Sequence, residues 1–470
     1  MQKKVTDMAA TQITPLDAWI RASTGLRELN GAALREYHLQ KLRSVLRYVK
    51  EKSRFYKDRL QAYDDIHSQE EFSELPFTFP SDIAADPYAF LCVPPDHISR
   101  IVTLHTSGTT GSDKRVMFTS DDQELTIGFF TNGMATFTAP GDNVMLFMPG
   151  VTPGGVGNLL ARGLSRLSAH CRIYGPISDY DDASRALLEF KPDVIVGLPS
   201  QMLRLAAETS GSFRAKSVLL ASDYMSPALV RAIGSSWNCE VFTHYGLTET
   251  GLGGAVTCCA HDGYHMREND LYFEIIDAAS GLPVPDGESG EICVTTFNHS
   301  GMPLIRYRTG DISRMLTRRC PCSSALRRLD NIEGRIDEPL LLRSGQSLSI
   351  RTLDDIIFRC KGVTSYSARL TNSSDTGGGS DANSSGSNGT DVSCGSSSSS
   401  SNRGCNDLEQ ETLVIELLLK GSRGAAHEPP VIPELSSLPV RVELHLGEPD
   451  FFTSGAAKRC IADMRVKASG

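Results

Sequence analysis

The chain has 470 residues, more than one hydrophobic core usually serves, so we expect two domains. Its 47 basic and 56 acidic residues give a net charge of −9, which argues against broad nucleic-acid or anionic-membrane binding. No apolar stretch reaches the length of a membrane span and no signal-type apolar core follows the N-terminus, so a cytoplasmic protein is expected. In such a chain, twelve cysteines are more often reduced, catalytic or metal-bound than paired in disulfides.

The apolar pattern predicts helices in the first hundred residues, with the helical spacing at 34–52 the clearest example. Further along, short apolar runs typical of buried strands occur at 144–148, 194–197 and 218–221. Helical stretches alternate with these runs, at 182–190 and 199–208. This alternation predicts a largely parallel sheet with helices on its faces, whereas residues 271–296 have the pattern of hairpins.

A tract at about 372–406 consists almost entirely of Ser, Gly, Asn and Asp. Such a tract cannot bury enough apolar surface to offset the entropy of ordering, so it is predicted to be disordered. Strand-like segments follow it at 413–419 and 440–446, so the tail is expected to fold back with 334–366 as a small α+β unit. The tract is therefore an insertion within a domain, and most simply a neutral spacer.

A loop rich in glycine and hydroxyl groups spans 106–114, directly after the apolar run 101–104, and ends at Lys114. Glycines let backbone N–H groups approach an anion, and a lysine supplies a compact positive charge suited to phosphate. The spacing does not fit the Walker loop, so this is a phosphate-binding loop of another type or a plain surface loop.

Three further segments carry candidate ligand groups. In 244–249, Glu249 follows a glycine turn and could coordinate Mg²⁺ bound to a nucleotide, while Tyr245 could stack on a base. In 307–311, Asp311 is suited to accept hydrogen bonds from ribose hydroxyls. In 334–337, Arg335 offers a guanidinium for phosphate. Taken singly, Glu249 could be an exposed glutamate at a helix start, Asp311 could belong to a turn with a helix N-cap, and 334–337 could be a plain surface turn.

The four motifs, in this order and spacing, resemble the adenylate-forming (acyl-CoA synthetase) superfamily over nearly the whole chain. Segments 55–60, 75–78, 301–309 and 334–337 are most similar to the phenylacetate–CoA ligase branch. The resemblance implies an α/β fold in which a large N-terminal domain, 1–334, binds ATP and the acid. This domain has mainly parallel sheets and a β-rich subdomain, and a small mobile α+β C-terminal domain covers 335–470.

The activity implied by this resemblance is that of an AMP-forming acid–CoA ligase that uses ATP, Mg²⁺ and coenzyme A. A small-molecule carboxylic acid, aryl or similarly compact, attacks the α-phosphate, and coenzyme A then displaces AMP from the acyl-adenylate. The alternatives are an adenylyltransferase with another acceptor and a non-catalytic nucleotide-binding relative. The oligomeric state is open, with a homodimer as one option.

Carried over residue by residue, the resemblance places Thr248 at the α-phosphate and Glu249 on Mg²⁺. Asp311 would bind the ribose, Arg335 would lie near phosphate and ribose, and Asp337 would be the hinge of the small domain. The remaining nucleotide-binding residues would be Thr106, Ser107, Gly108, Thr109, Thr110, Gly111, Lys114, Ser222, Asp223, Tyr245 and Gly246.

Two segments depart from the family pattern. The loop has Asp113 where the family usually carries proline and Ser112 where close relatives often place a lysine, and the acidic residue weakens the local positive field. In the tail, Ala456 stands where the family usually places the adenylation lysine, and Lys458 is the best candidate to replace it. If Lys458 cannot reach the site, adenylation should be slow while thioester formation survives.

The cysteines add a metal hypothesis. Thiolates and imidazole are the ligands that Zn²⁺ prefers, and four of them suffice for a closed structural site. The resemblance to some members of the branch points to Cys258, His265, Cys320 and Cys322. Cys259 or His261 could substitute for one of them, and simple reduced cysteines are the alternative.

The acid pocket is predicted around the glycine-rich segment 149–157, which resembles the segment that approaches the acid in relatives. Gly154, Gly155 and Gly157 would leave room for a planar ring, and Ala221 and 246–251 would complete the walls. The same segment could instead be a plain strand-to-helix turn.

Overall fold

The computed structural model of the chain describes residues 13–63, 65–104, 113–221, 224–336, 339–372, 411–420, 430–438, 440–446 and 461–464. Several predicted site residues lie outside these ranges, namely Thr106, Ser107, Gly108, Thr109, Thr110, Gly111, Ser222, Asp223, Asp337 and Lys458. Their predicted roles, and the predicted disorder of the Ser-rich tract, therefore stay predictions.

Helices dominate the first hundred residues, as predicted. They are α1 (Pro15–Thr24), α2 (Gly31–Lys52), α3 (Arg54–Arg59), α4 (Gln69–Ser73) and α5 (Pro80–Ala85). Helix α2 begins where the Asn30 side chain accepts hydrogen bonds from two backbone N–H groups of the first turn. It buries Leu42, Val45, Leu46 and Val49, the three- and four-residue spacing that identified it in the sequence.

A hairpin of β1 (Ile98–Leu104) and β2 (Lys114–Thr119) follows, with Leu104 opposite Lys114. The glycine- and hydroxyl-rich loop connects these two strands. Helix α6 (Ser120–Met134) starts directly after β2 with a capping box, in which Thr119 and Asp122 bond each other's backbone N–H groups. The hairpin thus fixes Lys114 at the end of the loop.

The central sheet has eight strands. Its parallel part consists of β3 (Asn143–Phe147), β4 (His170–Ile173), β5 (Val194–Gly197), β6 (Ser217–Leu220) and β7 (Glu240–Tyr245), which confirms the predicted parallel sheet. Three antiparallel strands extend it beyond β7: β8 (Ala255–Thr257), β9 (Tyr264–Met266) and β13 (Arg328–Leu329). The strand order is β13-β9-β8-β7-β6-β5-β3-β4.

The crossover helices are α7 (Val156–Arg166), α8 (Tyr180–Phe190), α9 (Pro199–Glu208) and α10 (Pro227–Trp237). Separate hydrophobic cores lie on the two sides of this sheet. Strands covered on both faces are apolar throughout, which is why their sequence runs do not alternate.

The predicted hairpins form a second, antiparallel sheet in the order β10-β11-β12-β14. Its strands are β10 (Leu271–Ile276), β11 (Gly290–Thr296), β12 (Tyr307–Ser313) and β14 (Gly334–Arg335). This sheet matters for function because β12 and β14 carry two of the predicted site residues opposite each other.

The last described elements are β15 (Leu340–Leu341), β16 (Ser347–Leu348), α11 (Ile350–Ile357), β17 (Val363–Asn372), β18 (Glu411–Leu419), β19 (Arg441–Leu446) and β20 (Ile461–Asp463). Four of them form a sheet in the order β19-β18-β17-β20, so the chain does fold back across the Ser-rich tract. Strand β17 packs against α9, and residues of both belong to one hydrophobic core. The domain boundary at 334 and the mobility of the C-terminal domain stay predictions.

Within the described ranges, no helix is long and apolar enough to cross a bilayer.

Candidate active site and metal cluster

Glu249 is a deeply buried charged group of the predicted nucleotide site. It lies in a 3₁₀ turn, Thr248–Thr250, four residues after β7, and its exposure is only 6%. Lys114 forms an ion pair with this carboxylate, and the Tyr307 hydroxyl donates to Glu249 Oε1 at 2.8 Å. Lys114 Nζ also donates to the Tyr307 hydroxyl at 3.0 Å, so the three side chains form a closed triangle.

The electrostatics of this triangle keep Glu249 ionised. Burial by itself would raise the pKa of Glu249, but the ammonium of Lys114 and the hydroxyl of Tyr307 outweigh burial, and the pKa lies below its usual value. The pKa of Tyr307 is raised, first by burial and then by the Glu249 charge, so its hydroxyl stays a hydrogen-bond donor. The site therefore offers a fixed carboxylate for a cation and a lysine for an anion.

Backbone packing explains why glycines precede and follow Glu249. A side chain at Gly246 would collide with the backbone carbonyl of Leu252 and lie 3.0 Å from the Cα of Gly253. Gly251 has a φ of +78°, in the left-handed region that favours glycine. The loop from 246 to 253 thus folds back on itself tightly, and the turn that presents Glu249 depends on this close approach.

A second group of predicted residues meets on the antiparallel sheet. Asp311 in β12 pairs with Arg335 in β14, and Arg335 Nη1 donates to Asp311 Oδ1 at 2.9 Å. The hydroxyl of Tyr245, at the end of β7, donates to the other carboxylate oxygen of Asp311, also at 2.9 Å. The charges of Arg335 and Asp311 also act on Tyr307. The two groups are therefore parts of one site.

Tyr307 is the residue of this site that sequence reasoning did not assign. It stands at the start of the quoted segment 307–311, and its alternation with Asp311 along β12 puts both on one face of the sheet. This alternation of every second residue along the strand was the sequence signal that could have pointed to Tyr307. The ring is 2% exposed, so only its partners in the fold show what the hydroxyl does.

The glycine-rich segment predicted to approach the acid joins β3 to α7. Gly155 precedes the first residue of α7, and a side chain at Gly157 would lie 2.8 Å from the Cα of Gly150. Gly154 has a φ of +71°. These glycines therefore serve a strand-to-helix turn, and contact with the acid stays a prediction. Ala221 directly follows β6 and is buried.

The four cysteine and histidine residues named from the sequence lie together. Cys258 follows β8, His265 is in β9, and Cys320 and Cys322 belong to the turn before β13; all four are buried. Their ligand atoms lie within 4.8 Å of one another. The Cys258 and Cys320 sulfurs are 3.6 Å apart, and the Cys322 sulfur is 3.4 Å from His265 Nε2.

These distances suit a tetrahedral ion, since sulfurs bound at about 2.3 Å to zinc lie roughly 3.8 Å apart. Cys259 and His261, the alternative ligands, lie outside the cluster. The Cys259 sulfur contacts the carbonyl of Thr136 at 3.7 Å, and His261 packs on Phe242. All nine cysteines in the described part of the chain are free.

Comparison with known proteins shows which family the chain belongs to. The sequence model of the family described as "AMP-binding enzyme" matches residues 31–300. A phenylacetate–coenzyme A ligase of Pseudomonas putida is 30% identical over 329 residues, which cover 66% of this chain and 72% of that protein. The enzyme of the same name from Aromatoleum evansii is 30% identical over 345 residues, which cover 70% of this chain and 76% of that protein.

Solved structures share the fold. A 2-hydroxyisobutyryl-CoA ligase in its postadenylation state, in complex with an acyl-AMP, has a TM-score of 0.70 at 20% identity and covers 93% of this chain and 91% of its own. The same enzyme in the thioesterification state, with 2-HIB-AMP and CoA, has a TM-score of 0.61 at the same identity, with coverage of 93% and 90%. The family match spans more than half of the sequence, and the predicted α/β fold is confirmed. The chain belongs to the AMP-binding enzyme family, in its phenylacetate–CoA ligase-like branch.

Proposed function

We propose that the chain is an AMP-forming acid–CoA ligase that activates a compact carboxylic acid of the aryl type. Acid–CoA ligation through an adenylate is the activity of the branch to which it belongs. The observation that carries the proposal is the buried Glu249 carboxylate, held by Lys114 and Tyr307 next to the Asp311–Arg335 pair. A nucleotide-binding site needs all of these groups close together, whereas an ion pair with a purely structural role needs only its own two residues.

In this proposal each described side chain has a separate task. Lys114 attracts the phosphates at the end of the glycine- and hydroxyl-rich loop, and Asp311 accepts hydrogen bonds from the ribose. Glu249 would hold Mg²⁺, which neutralises charge on the phosphates when it is bound. Transfer to the α-phosphate needs positioning and charge neutralisation more than a covalent step on the protein, so no nucleophilic residue is required.

The test is pyrophosphate release from ATP and Mg²⁺ across a panel of aryl and short-chain acids, with and without coenzyme A, with products identified by mass. We expect acid-dependent release and an acyl-CoA product for wild type, and a loss of at least about a hundredfold in Glu249→Ala. Release without a thioester would favour the adenylyltransferase. Absence of release with every acid, despite ATP binding, would favour the non-catalytic relative.

The adenylation lysine has its own test, because Ala456 occupies its usual place. In the proposal Lys458 takes the role, so Lys458→Ala should slow adenylation much more than thioester formation from a supplied acyl-adenylate. Separate assays of the two half-reactions measure how far each rate falls in the variant. Equal rates for wild type and variant in both half-reactions would exclude Lys458.

We also propose that Cys258, His265, Cys320 and Cys322 hold one structural Zn²⁺. The support is a buried set of three thiols and one imidazole at tetrahedral spacing, with no position left open for a substrate. Elemental analysis should find about one equivalent of zinc per chain, lost in Cys320→Ser/Cys322→Ser. The matched control is Cys239→Ser/Cys360→Ser, two cysteines outside the cluster, which should keep the metal.

A further inference from the structure

The loop that carries Glu249 has few side chains of its own to hold it in place. It spans residues 246–254 between β7 and β8, and after Glu249 it contains Gly251, Gly253 and Gly254. Glycine loses more conformational freedom on folding than any other residue, so a loop of this composition needs to be fixed from outside. The groups that it offers for this purpose are its backbone carbonyls and amides.

A buried arginine bonds to the end of this loop. Arg267, which directly follows β9, is 0% exposed, and its Nη1 donates to the carbonyl of Gly253 at 3.1 Å. The backbone N–H of the same residue donates to the carbonyl of Gly254 at 2.8 Å. Two successive carbonyls of the loop are therefore bonded to one residue.

Helix α6 contacts the same stretch of the loop. The hydroxyl of Thr126 donates to the carbonyl of Gly251 at 2.8 Å, and a side chain at Gly253 would collide with the ring of Phe129. The guanidinium of Arg267 lies 5.5 Å from the centroid of that ring, within the range of a cation–π interaction. The backbone of Gly253 thus contacts both the arginine and the phenylalanine.

Asp270 keeps the guanidinium in position. Its Oδ2 accepts a hydrogen bond from Arg267 Nη2 at 2.5 Å, and both side chains are fully buried. Removing two charges from water is costly, and apolar residues of similar size are often as stable in their place. Stability alone therefore does not account for this ion pair. An apolar pair could not supply the hydrogen-bond donor to Gly253.

Loosening of the loop at this arginine would reach Glu249 through two backbone hydrogen bonds. The N–H of Leu252 donates to the carbonyl of Leu247 at 2.7 Å, and the N–H of Gly251 donates to the carbonyl of Thr248 at 3.1 Å. These two bonds close the turn around Glu249. Their amide protons therefore report on the loop without any substrate or metal.

We propose that Arg267, held by Asp270, is a positioning residue for Glu249. It fixes the loop from the carbonyl of Gly253, four residues after Glu249, so that the carboxylate is presented in one place for Mg²⁺ and the nucleotide. The inference rests on the acid–CoA ligase function above and adds the residues that hold the metal-binding carboxylate.

The experiment replaces the ion pair by apolar residues in Arg267→Met/Asp270→Val. The Tm should stay close to that of wild type, because removal of two buried charges offsets the lost bond to the Gly253 carbonyl. Hydrogen exchange at the amides of 251 and 252, followed by mass spectrometry without ligands, should become about tenfold faster. The Mg²⁺ concentration for half-maximal pyrophosphate release should rise, and kcat should fall by at least about tenfold.

Arg267→Lys is the second variant, and it decides the outcome if the double variant does not fold. It keeps a positive charge beside Asp270, but one ammonium group replaces the fork of donors that reaches both Asp270 and Gly253. Loop exchange and the Mg²⁺ requirement should shift in the same direction as in the double variant, by a smaller factor.

The matched control is Arg204→Met/Glu208→Leu. Arg204 in α9 is also buried, forms an ion pair with Glu208 at 3.0 Å and lies 3.9 Å from the centroid of the Tyr180 ring. This variant measures what the loss of a buried arginine and its carboxylate does by itself. Exchange at 251 and 252 and the Mg²⁺ requirement should remain those of wild type.

Unchanged loop exchange in both Arg267 variants would overturn the proposal, as would equal changes in the control. Faster exchange with an unchanged Mg²⁺ requirement and kcat would overturn it too, because the pair would then hold the loop for structure alone. None of these results would affect the ligase function. Absence of pyrophosphate release by wild type with every acid would instead overturn the ligase function, and the exchange rates would then decide by themselves whether Arg267 fixes the loop.

Discussion

At the scale of single residues, the site depends on a carboxylate that is buried yet ionised. Glu249 is stable as an anion because the Lys114 ammonium lies beside it and the Tyr307 hydroxyl donates a hydrogen bond to it. Lys114 also donates to the Tyr307 hydroxyl, so each partner holds the other in place. An isolated buried carboxylate would take up a proton. The cation-binding capacity of Glu249 therefore rests on Tyr307 and Lys114 as much as on its own oxygen atoms.

This dependence gives a prediction for Tyr307→Phe. The variant removes a hydrogen bond to a charged group, worth about 1.5–3 kcal/mol, or about 10- to 100-fold in rate. We expect kcat for acid-dependent pyrophosphate release to fall within that range, and the Mg²⁺ concentration for half-maximal rate to rise. Thioester formation from a supplied acyl-adenylate should change little. Tyr63→Phe, at an exposed tyrosine far from Tyr307 in the sequence, is the control. If the Tyr307 variant were as active as this control, Tyr307 would not be needed to position Glu249.

At the scale of elements, the loop between β7 and β8 decides where Glu249 points. It closes by backbone contact between Gly246 and residues 252–253, and Gly251 turns the chain in the left-handed region. The glycines are required by the loop itself, whatever the ligand. The same elements carry Tyr245 to Asp311, so a displaced loop would disturb both halves of the site.

Gly246→Ala tests this element. Its added methyl group would collide with the Leu252 carbonyl, so the turn that holds Glu249 must move, and a misplacement of about 1 Å can cost about a hundredfold in rate. We expect pyrophosphate release to drop by at least tenfold. Gly31→Ala, at the exposed first residue of α2 where the methyl would meet only Arg35, should keep wild-type activity. Equal rates for both variants would show that the loop tolerates the shift.

At the scale of the whole molecule, the cysteine cluster joins parts of the chain that are distant in sequence. Cys258 and Cys320 are 62 residues apart, and the turn that carries Cys322 also receives α1, because Ser324 donates to Asp17 at 2.5 Å. A metal here would tie the edge of the central sheet to the N-terminal helix. Its contribution is then to stability and not to catalysis.

Chelation should show this contribution directly. Structural zinc supplies folding free energy, so removal with a strong chelator should lower the Tm by on the order of 5 °C, as should Cys320→Ser/Cys322→Ser. Thermal unfolding followed by circular dichroism measures the shift, and added Zn²⁺ should reverse it in wild type only. A Tm that is identical with and without chelator would contradict a structural metal.

The sequence by itself determined the elements and the ligand types. Apolar periodicity predicted α2, the parallel strands and the hairpins, because burial patterns repeat locally along a helix or strand. Glycine spacing and residue chemistry singled out Glu249, Asp311 and Arg335, and the resemblance named the four cluster ligands. The fold brings the members of each of these two groups together.

Only the tertiary structure decided which groups act on each other. Lys114 lies 135 residues from Glu249 and 193 from Tyr307, so no local pattern could show that the three form a triangle. Pairings of this kind depend on how distant strands meet in a sheet, and that is fixed by packing of the whole core.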